Sequence, residues 1–392
     1  MKPTLPRAAL AALLAATAIL PARAQQPSAP GEQPPEQAAL ALKAATRYRE
    51  ATAALTQLAA DTASAPGAGA REAALAETWM AMAVELWGQQ PDNGQLAVSL
   101  AALRAGPLAQ QVPSLHDRLG MLQLVHASRT DGSGIGALAN ELGLVREWWL
   151  LGAFDNERGK GHSRKLPAEQ GFDPQARFDG KLRKVAWRQV PEVAVDGIVP
   201  LGEIVRPNDQ VSCLLATAVH SAVAQPAALL LGTSGSFRVL LNGAAVGERE
   251  VERSFRPDQD AVALPLREGW NLLVLKVSHQ EGGGYAAMAR LRGIDGHALT
   301  GIRLSAARAD LEAAGTVAAV AATEPMPAPH LGARTTLASR VLAGDAADMY
   351  RLAWLLHTAD VDGEQGREDL EIAAAAADNL KGFAEAPFLL AS

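Results

Sequence analysis

Along the chain the spacing of apolar positions changes twice, and each change marks a change of architecture. From Glu36 to about Leu142 apolar residues recur every three or four positions, the period of a helix with one buried side. Leu40, Ala44, Tyr48, Ala51, Leu55 and Leu58 form the first such stripe, which Ala63-Ser64-Ala65-Pro66-Gly67-Ala68-Gly69 interrupts. Leu75, Trp79, Met82 and Leu86 form a second, ending near Gly88 before the turn Pro91-Asp92-Asn93-Gly94. Further helices are predicted from Gly94 to Arg104 and from Ser114 to Ala127. Ser114 is placed as the N-cap of the latter, with Asp117 near its positive end. Short helices in pairs resemble a tetratricopeptide-like array.

Between Trp148 and about Ala306 the pattern becomes short apolar runs separated by glycine-bearing turns, which predicts an antiparallel β-sandwich. The predicted strands are Trp148 to Phe154, Val185 to Val190, Val211 to His220, Ala227 to Leu231, Phe237 to Leu241, Ala261 to Leu266, Leu272 to Val277 and Tyr285 to Leu291. Asn242-Gly243 favours positive φ and so a tight hairpin returning through Val246. Leu272 to Val277 reads as apolar on both faces, which marks an interior strand. Thr323 to Pro329, with three prolines, suits a linker, and helices resume near Ala346 with Met349, Leu352, Leu355 and Leu356 on one side. Ala373 to Ala377 extends a last helix, and the apolar end Phe388-Leu389-Leu390 suggests that more chain follows.

The N-terminus adds an address. Lys2 and Arg7 precede the apolar stretch Ala8 to Leu20, and Ala22-Arg23-Ala24 offers the small side chains of a signal-peptidase site. Cleavage is expected between Ala24 and Gln25, delivering the protein to the periplasm or the exterior. The expected layout is therefore a signal peptide (1–24), a flexible leader (25–35), a helical region (36–145), a β-sandwich (146–306), a linker (307–335) and a helical segment (336–392). No later segment reads as membrane-spanning.

Composition narrows the function classes. The 392 residues are 48% hydrophobic and 4% aromatic, with one cysteine and a net charge of −6, about −9 once Lys2, Arg7 and Arg23 are removed. A disulfide scaffold is excluded, and mild acidity argues against a nucleic-acid partner. Cys213, alone in an oxidising compartment, is expected to be a packed core thiol. His220, seven residues along the same strand, falls on the opposite face roughly 23 Å away, so the two form no dyad.

Candidate chemistry is sparse. Asp155, Asn156 and Arg158 close the first strand and open a loop, where oxygen ligands and a cation suit calcium or a polar ligand. The competing reading is a self-bonded turn. Trp148, Trp149, Trp187 and Trp270 can stack on sugar rings if exposed, but Trp148 and Trp149, being adjacent on a strand, point to opposite faces. Gly132-Ser133-Gly134-Ile135-Gly136-Ala137 fits a dinucleotide fingerprint without the preceding strand that chemistry needs. Thr358 to Asp369 imitates a calcium loop with threonine first and aspartate last, which is better suited to capping the next helix. The eight histidines are scattered, so no metal site, cofactor or catalytic set is expected.

Around the sandwich the residues carry a family resemblance. Trp148-Trp149-Leu150-Leu151-Gly152-Ala153-Phe154-Asp155-Asn156-Glu157-Arg158-Gly159 is similar to an opening segment of large exported bacterial tetratricopeptide-repeat proteins. The likeness continues through Phe178-Asp179-Gly180-Lys181, Val185 to Arg188, Leu230-Leu231-Gly232, Val239 to Val246 and Leu266 to Val277. Ala153 and Leu240 stand where that family has proline and tryptophan, and Thr233-Ser234-Gly235 where it has acidic residues. The resemblance implies a galactose-binding-like jelly roll with helical repeats around it and, in longer relatives, a transglutaminase-like domain downstream. The resulting fold class is multidomain, α plus all-β: a helical-repeat N-terminal region, an antiparallel jelly-roll sandwich and a repeat-like helical C-terminal segment.

The function expected from all this is an exported, non-catalytic interaction or scaffolding protein, with a protein or a cell-envelope glycan as partner. The alternatives are a carbohydrate-binding module and the non-catalytic front of a transglutaminase-like protein.

Overall fold

The computed structural model describes residues 35–361 and 363, apart from 131, 133, 191–195, 281–283, 317–325, 327, 343–345 and 362. The expected signal peptide, the leader up to 34, Ala373 to Ala377 and the apolar terminus lie outside these residues. So do Ser133 of the glycine-rich motif, residues 317–325 and 327 of the linker, and Asp362 and Asp369 of the calcium-like stretch. The described residues form two compact units, one of residues up to Leu115 with Gly332–His357, the other of His116–Leu331 with the described residues from Thr358 on.

The first unit is helical. α1 (Gln37–Ala44), α2 (Tyr48–Ala63), α3 (Ala70–Glu85), α4 (Gly94–Ala105) and α5 (Pro107–Gln111) follow one another, and the helix Ala333–Leu342 packs back on α3. The stripe Leu40 to Leu58 is divided between α1 and α2. Thr46, at φ 58°, turns the chain out of the helix there, and the apolar spacing gives no sign of it. Alanines on α3 let its neighbours approach closely, leaving Trp79 and Met80 fully buried. Buried Glu77 of α3 accepts from the backbone N–H of Ala333 at 2.7 Å, and Arg351 donates to Glu36 (2.7 Å) and Asp348 (2.8 Å). The returning segment is thus bound to the start of the unit by charge-assisted bonds.

The second unit is built on antiparallel sheets. Its strands are β1 (Trp149–Asp155), β2 (Phe178–Asp179), β3 (Lys184–Val185), β4 (Arg188–Gln189), β5 (Val211–Ser221), β6 (Gln225–Thr233), β7 (Ser236–Leu241), β8 (Ala244–Arg249), β9 (Asp260–Leu266), β10 (Gly269–His279), β11 (Ala287–Arg292) and β12 (Ile302–Ser305). The larger sheet runs β4-β1-β5-β10-β7-β8, with β12 pairing the far end of β5, and the smaller runs β11-β6-β9. β2 and β3 form a separate hairpin. Asn242 (φ 53°) and Gly243 (φ 81°) make the tight turn between β7 and β8.

Side-chain alternation explains the layering. Cys213, Leu215, Val219, Val239, Leu273 and Leu275 of the larger sheet meet Leu229, Leu231, Leu264 and Ala289 of the smaller in one core. On the larger sheet's outer face Leu151, Leu214, Ala216, Leu272 and Val274 are covered by Leu166, Phe172 and Trp187, and by Leu311 and Ala314 of the helix Arg308–Gly315. Outside the smaller sheet, Met288 packs with Met121 and Leu124 of α6 (Pro113–Ser128) and with Ile135 and Ala139 of α7 (Ile135–Glu141). β5, β6, β7, β10 and β11 are therefore buried on both sides, which is why they read as almost continuous apolar runs, whereas β9 alternates and β8 is half-exposed.

The predicted strand Val185 to Val190 is instead two residue pairs, β3 and β4, separated at Ala186 and Trp187, where the buried Trp187 ring joins the outer cover. The chain before the glycine-rich motif is α6, a helix, so the strand a dinucleotide site requires is absent there.

Candidate functional site

β1 carries the predicted loop residues to one end of the larger sheet and then separates them. Asp155, the last residue of β1, is exposed, and its carboxylate lies 3.5 Å from Lys181 Nζ. Asn156 turns inward: its backbone N–H donates to Gln210 O (2.9 Å) and Nδ2 to His279 O (3.0 Å), fastening the loop to the end of β10. Asn156 Oδ1 is buried without a hydrogen-bond partner. Arg158, at φ 55°, is exposed. Beyond it Gly161 fits only as glycine, because a Cβ would stand 2.3 Å from Asp155 O.

The tryptophans divide as alternation demands. Trp148 is 1% exposed in the inter-sheet core, with its Nε1 donating to Val145 O at 3.0 Å, so it presents no stacking face. Trp149 points to the opposite side, donates to Ala306 O (2.8 Å) and meets Phe172 edge-on at 5.1 Å. Trp270 is half-buried in a cross-strand row with His220 and Arg303. The Arg303 guanidinium lies 4.7 Å from the Trp270 ring centroid, and His220 meets that ring edge-on at 5.1 Å. The structure thus places Trp270 at a surface, and separates it from Trp148 by a whole sheet.

The strongest polar groupings are ones the sequence reading passed over. Lys276 interrupts the apolar β10 and points outward, fully buried, where its Nζ donates to His162 O (3.1 Å), Arg164 O and Glu169 Oε1 (2.9 Å). Opposite it on β7, Arg238 reaches Glu169 (3.5 Å) and Glu248 (2.8 Å). Burial lowers the Lys276 pKa, and Glu169 opposes that shift. A single charge breaking an apolar strand run was the available signal, because only a buried partner makes such a residue tolerable.

On the other side of the sandwich Arg290 of β11 is fully buried. It donates to both oxygens of Asp117 (2.8 and 2.7 Å) and both of Asp258 (2.8 and 2.7 Å). Arg292 lies 2.8 Å from Asp117, and Arg118 pairs with Asp258. Burial alone would lower the Arg290 pKa, but the two carboxylates outweigh it and raise it. Asp117 therefore ties α6 to the sheet, in place of the helix-end role its position suggested.

Cys213 is fully buried, and a Cβ at Gly152 would stand 2.7 Å from its Sγ. Burial pushes the thiol up to about 12, so the reactive thiolate is suppressed at neutral pH. His220 lies on the outer face of the same strand and Cys213 on the inner.

His162, buried in the cover loop, has Nδ1 without a partner. Burial lowers its pKa first, with Arg238 and Lys276 adding to the shift and Glu250 and Glu248 opposing it. Protonation therefore favours the unfolded chain. Stability is complete above the ordinary histidine value of 6.5 and declines as pH falls from there toward the depressed folded value. Urea midpoints measured from pH 7.5 to 5 should fall less steeply in His162→Gln than in the parent; equal slopes would refute the assignment.

Among the described residues no group of three or more His, Cys, Asp or Glu could hold a metal, and no helix is long and apolar enough to cross a membrane. No protein-family model matches the chain, and no curated protein shows significant similarity to it.

Proposed function

We propose that the protein is an exported, non-catalytic interaction and scaffolding protein, a jelly-roll-like sandwich accompanied by repeat-like helical pairs. The observation that carries this reading is how the second unit uses its buried charges. Lys276 and Glu169 hold the outer cover on the larger sheet, and Arg290, Asp117 and Asp258 hold α6 on the smaller. Arg253 and Asp260 do the same for the segment after β8, where Arg253 bonds Thr233 O and Val361 O. Each of these groups already has its partners within the unit and serves rigidity.

One observation favours carbohydrate binding as the second reading. Trp270 is at the surface with a histidine and an arginine beside it, although Arg303 already occupies part of its ring. Binding by the full chain decides between them. Specific retention of a purified envelope protein, with no polysaccharide bound, supports the scaffolding reading. Polysaccharide binding that Trp270→Ala abolishes without changing the thermal melt replaces it with the carbohydrate reading. Covalent turnover of either ligand overturns both.

A further inference from the structure

The cover of the larger sheet has a charge opposite to the rest of the molecule. Between Glu157 and Arg188 the chain carries nine basic and four acidic residues, a net +5. The remaining residues, 27 basic and 38 acidic, carry −11. Eight of the nine basic side chains are exposed, as are Glu157, Asp173 and Asp179, while the fourth acid, Glu169, is buried beneath them. Packing adds to the excess at the surface: the cover's apolar side and Glu169 face the sheet, where Glu169 is paired with Lys276, so the outer side carries eight exposed cations against three exposed acids.

At the β2–β3 turn this basic surface carries Leu182, 77% exposed. A large apolar side chain so exposed gains nothing from folding. The hairpin beneath it is held rigidly from behind. Gly180 N–H donates to Arg183 O (3.0 Å) and Lys181 N–H to Ala153 O (2.8 Å). Lys181 Nζ reaches back to Asp209 O (3.1 Å) and Gln210 O (2.9 Å). Lys181 is thus turned inward while Leu182, Arg183 and Lys184 project, Lys184 paired with the exposed carboxylate of Asp179, and a fixed apolar tip stands among exposed charges in which the basic ones predominate.

We propose that this hairpin tip and the basic cover around it form a docking face for an anionic lipid bilayer. Leu182 enters the headgroup boundary, and the neighbouring lysines and arginines meet the lipid phosphates. The acidic remainder of the chain is repelled by the same surface, which favours approach by the basic face. An acidic protein segment would match the charge but has no need of a rigid, projecting leucine. The proposal does not depend on whether the protein is catalytic.

Co-sedimentation of the full chain with vesicles tests it. Vesicles of phosphatidylglycerol and phosphatidylcholine should bind the protein in low salt, and pure phosphatidylcholine vesicles should not. Leu182→Ser should weaken binding about tenfold through lost apolar burial. Arg183→Ser should weaken it about fivefold, the effect of one charge. All these side chains are exposed, and unchanged thermal melts confirm the fold of each variant. The proposal fails if the anionic vesicles leave the protein in the supernatant. It also fails if Leu182→Ser binds them as tightly as the parent, or if polyglutamate displaces the vesicles at equal charge concentration, either of which identifies an acidic-chain site instead.

Discussion

Arg290→Met should destabilise the second unit by about 3 to 5 kcal/mol, the cost of removing the one cation shared by two buried carboxylates. The guanidinium bonds all four carboxylate oxygens of Asp117 and Asp258, and its removal brings two like charges together in a dry site. Arg118 and Arg292 each reach only one of the two acids, so neither substitutes for it. Methionine preserves much of the volume, so the loss is electrostatic rather than a cavity effect. Urea unfolding followed by tryptophan fluorescence measures it. Restoring apolar partners with Asp117→Leu and Asp258→Leu should recover a large part of the loss, whereas a single-variant loss below about 1 kcal/mol would show that the cluster does not hold the layers.

Lys276→Met should cost a similar amount, about 3 to 5 kcal/mol, and should also loosen one particular segment. The Lys276 ammonium is the common donor for His162 O, Arg164 O and Glu169 Oε1, so three points of the cover hang on one atom. Its loss leaves Glu169 buried with the Leu166 N–H at 3.1 Å and Arg238 at 3.5 Å as its remaining partners. Limited trypsin digestion should then cut at exposed Arg164 and Lys165 sooner than in the parent. In a double-mutant cycle with Glu169→Leu the coupling should exceed about 1 kcal/mol. Additive losses would mean that the two side chains act independently.

Much of the architecture was legible because it rests on periodicity. Helical spacing before Leu142, short apolar runs after Trp148 and the Asn242-Gly243 turn each predict local structure without knowledge of partners. The opposite orientations of Trp148 and Trp149 follow from alternation in the same way, but not which of them is sealed in the core. That depends on which sheet face meets the other sheet, a long-range fact. The cover between Asn156 and Val190 was illegible for a related reason: its strands are two residues long, too short to show a period. Asp117 shows the limit most clearly. Its place near a helix start suggests a capping charge, and only the arrival of β11, 173 residues later, gives it Arg290.

β5 is paired along one side by two separate pieces of chain laid end to end. β1 covers Val211 to Ala216 and β12 covers Ala218 to Ser221. A ribosome reaches Ile302 about 150 residues after it has made Trp149, so half of that flank stays open while the rest of the slab assembles. The last strand to be synthesised is therefore the one that shuts the sheet, and contacts of such long sequence separation are slow to form. Until it docks, the backbone of Ala218 to Ser221 offers an unoccupied ladder to any other extended chain. Late closure of this seam is expected to slow folding and to lengthen the interval in which the nascent protein is vulnerable to mispairing.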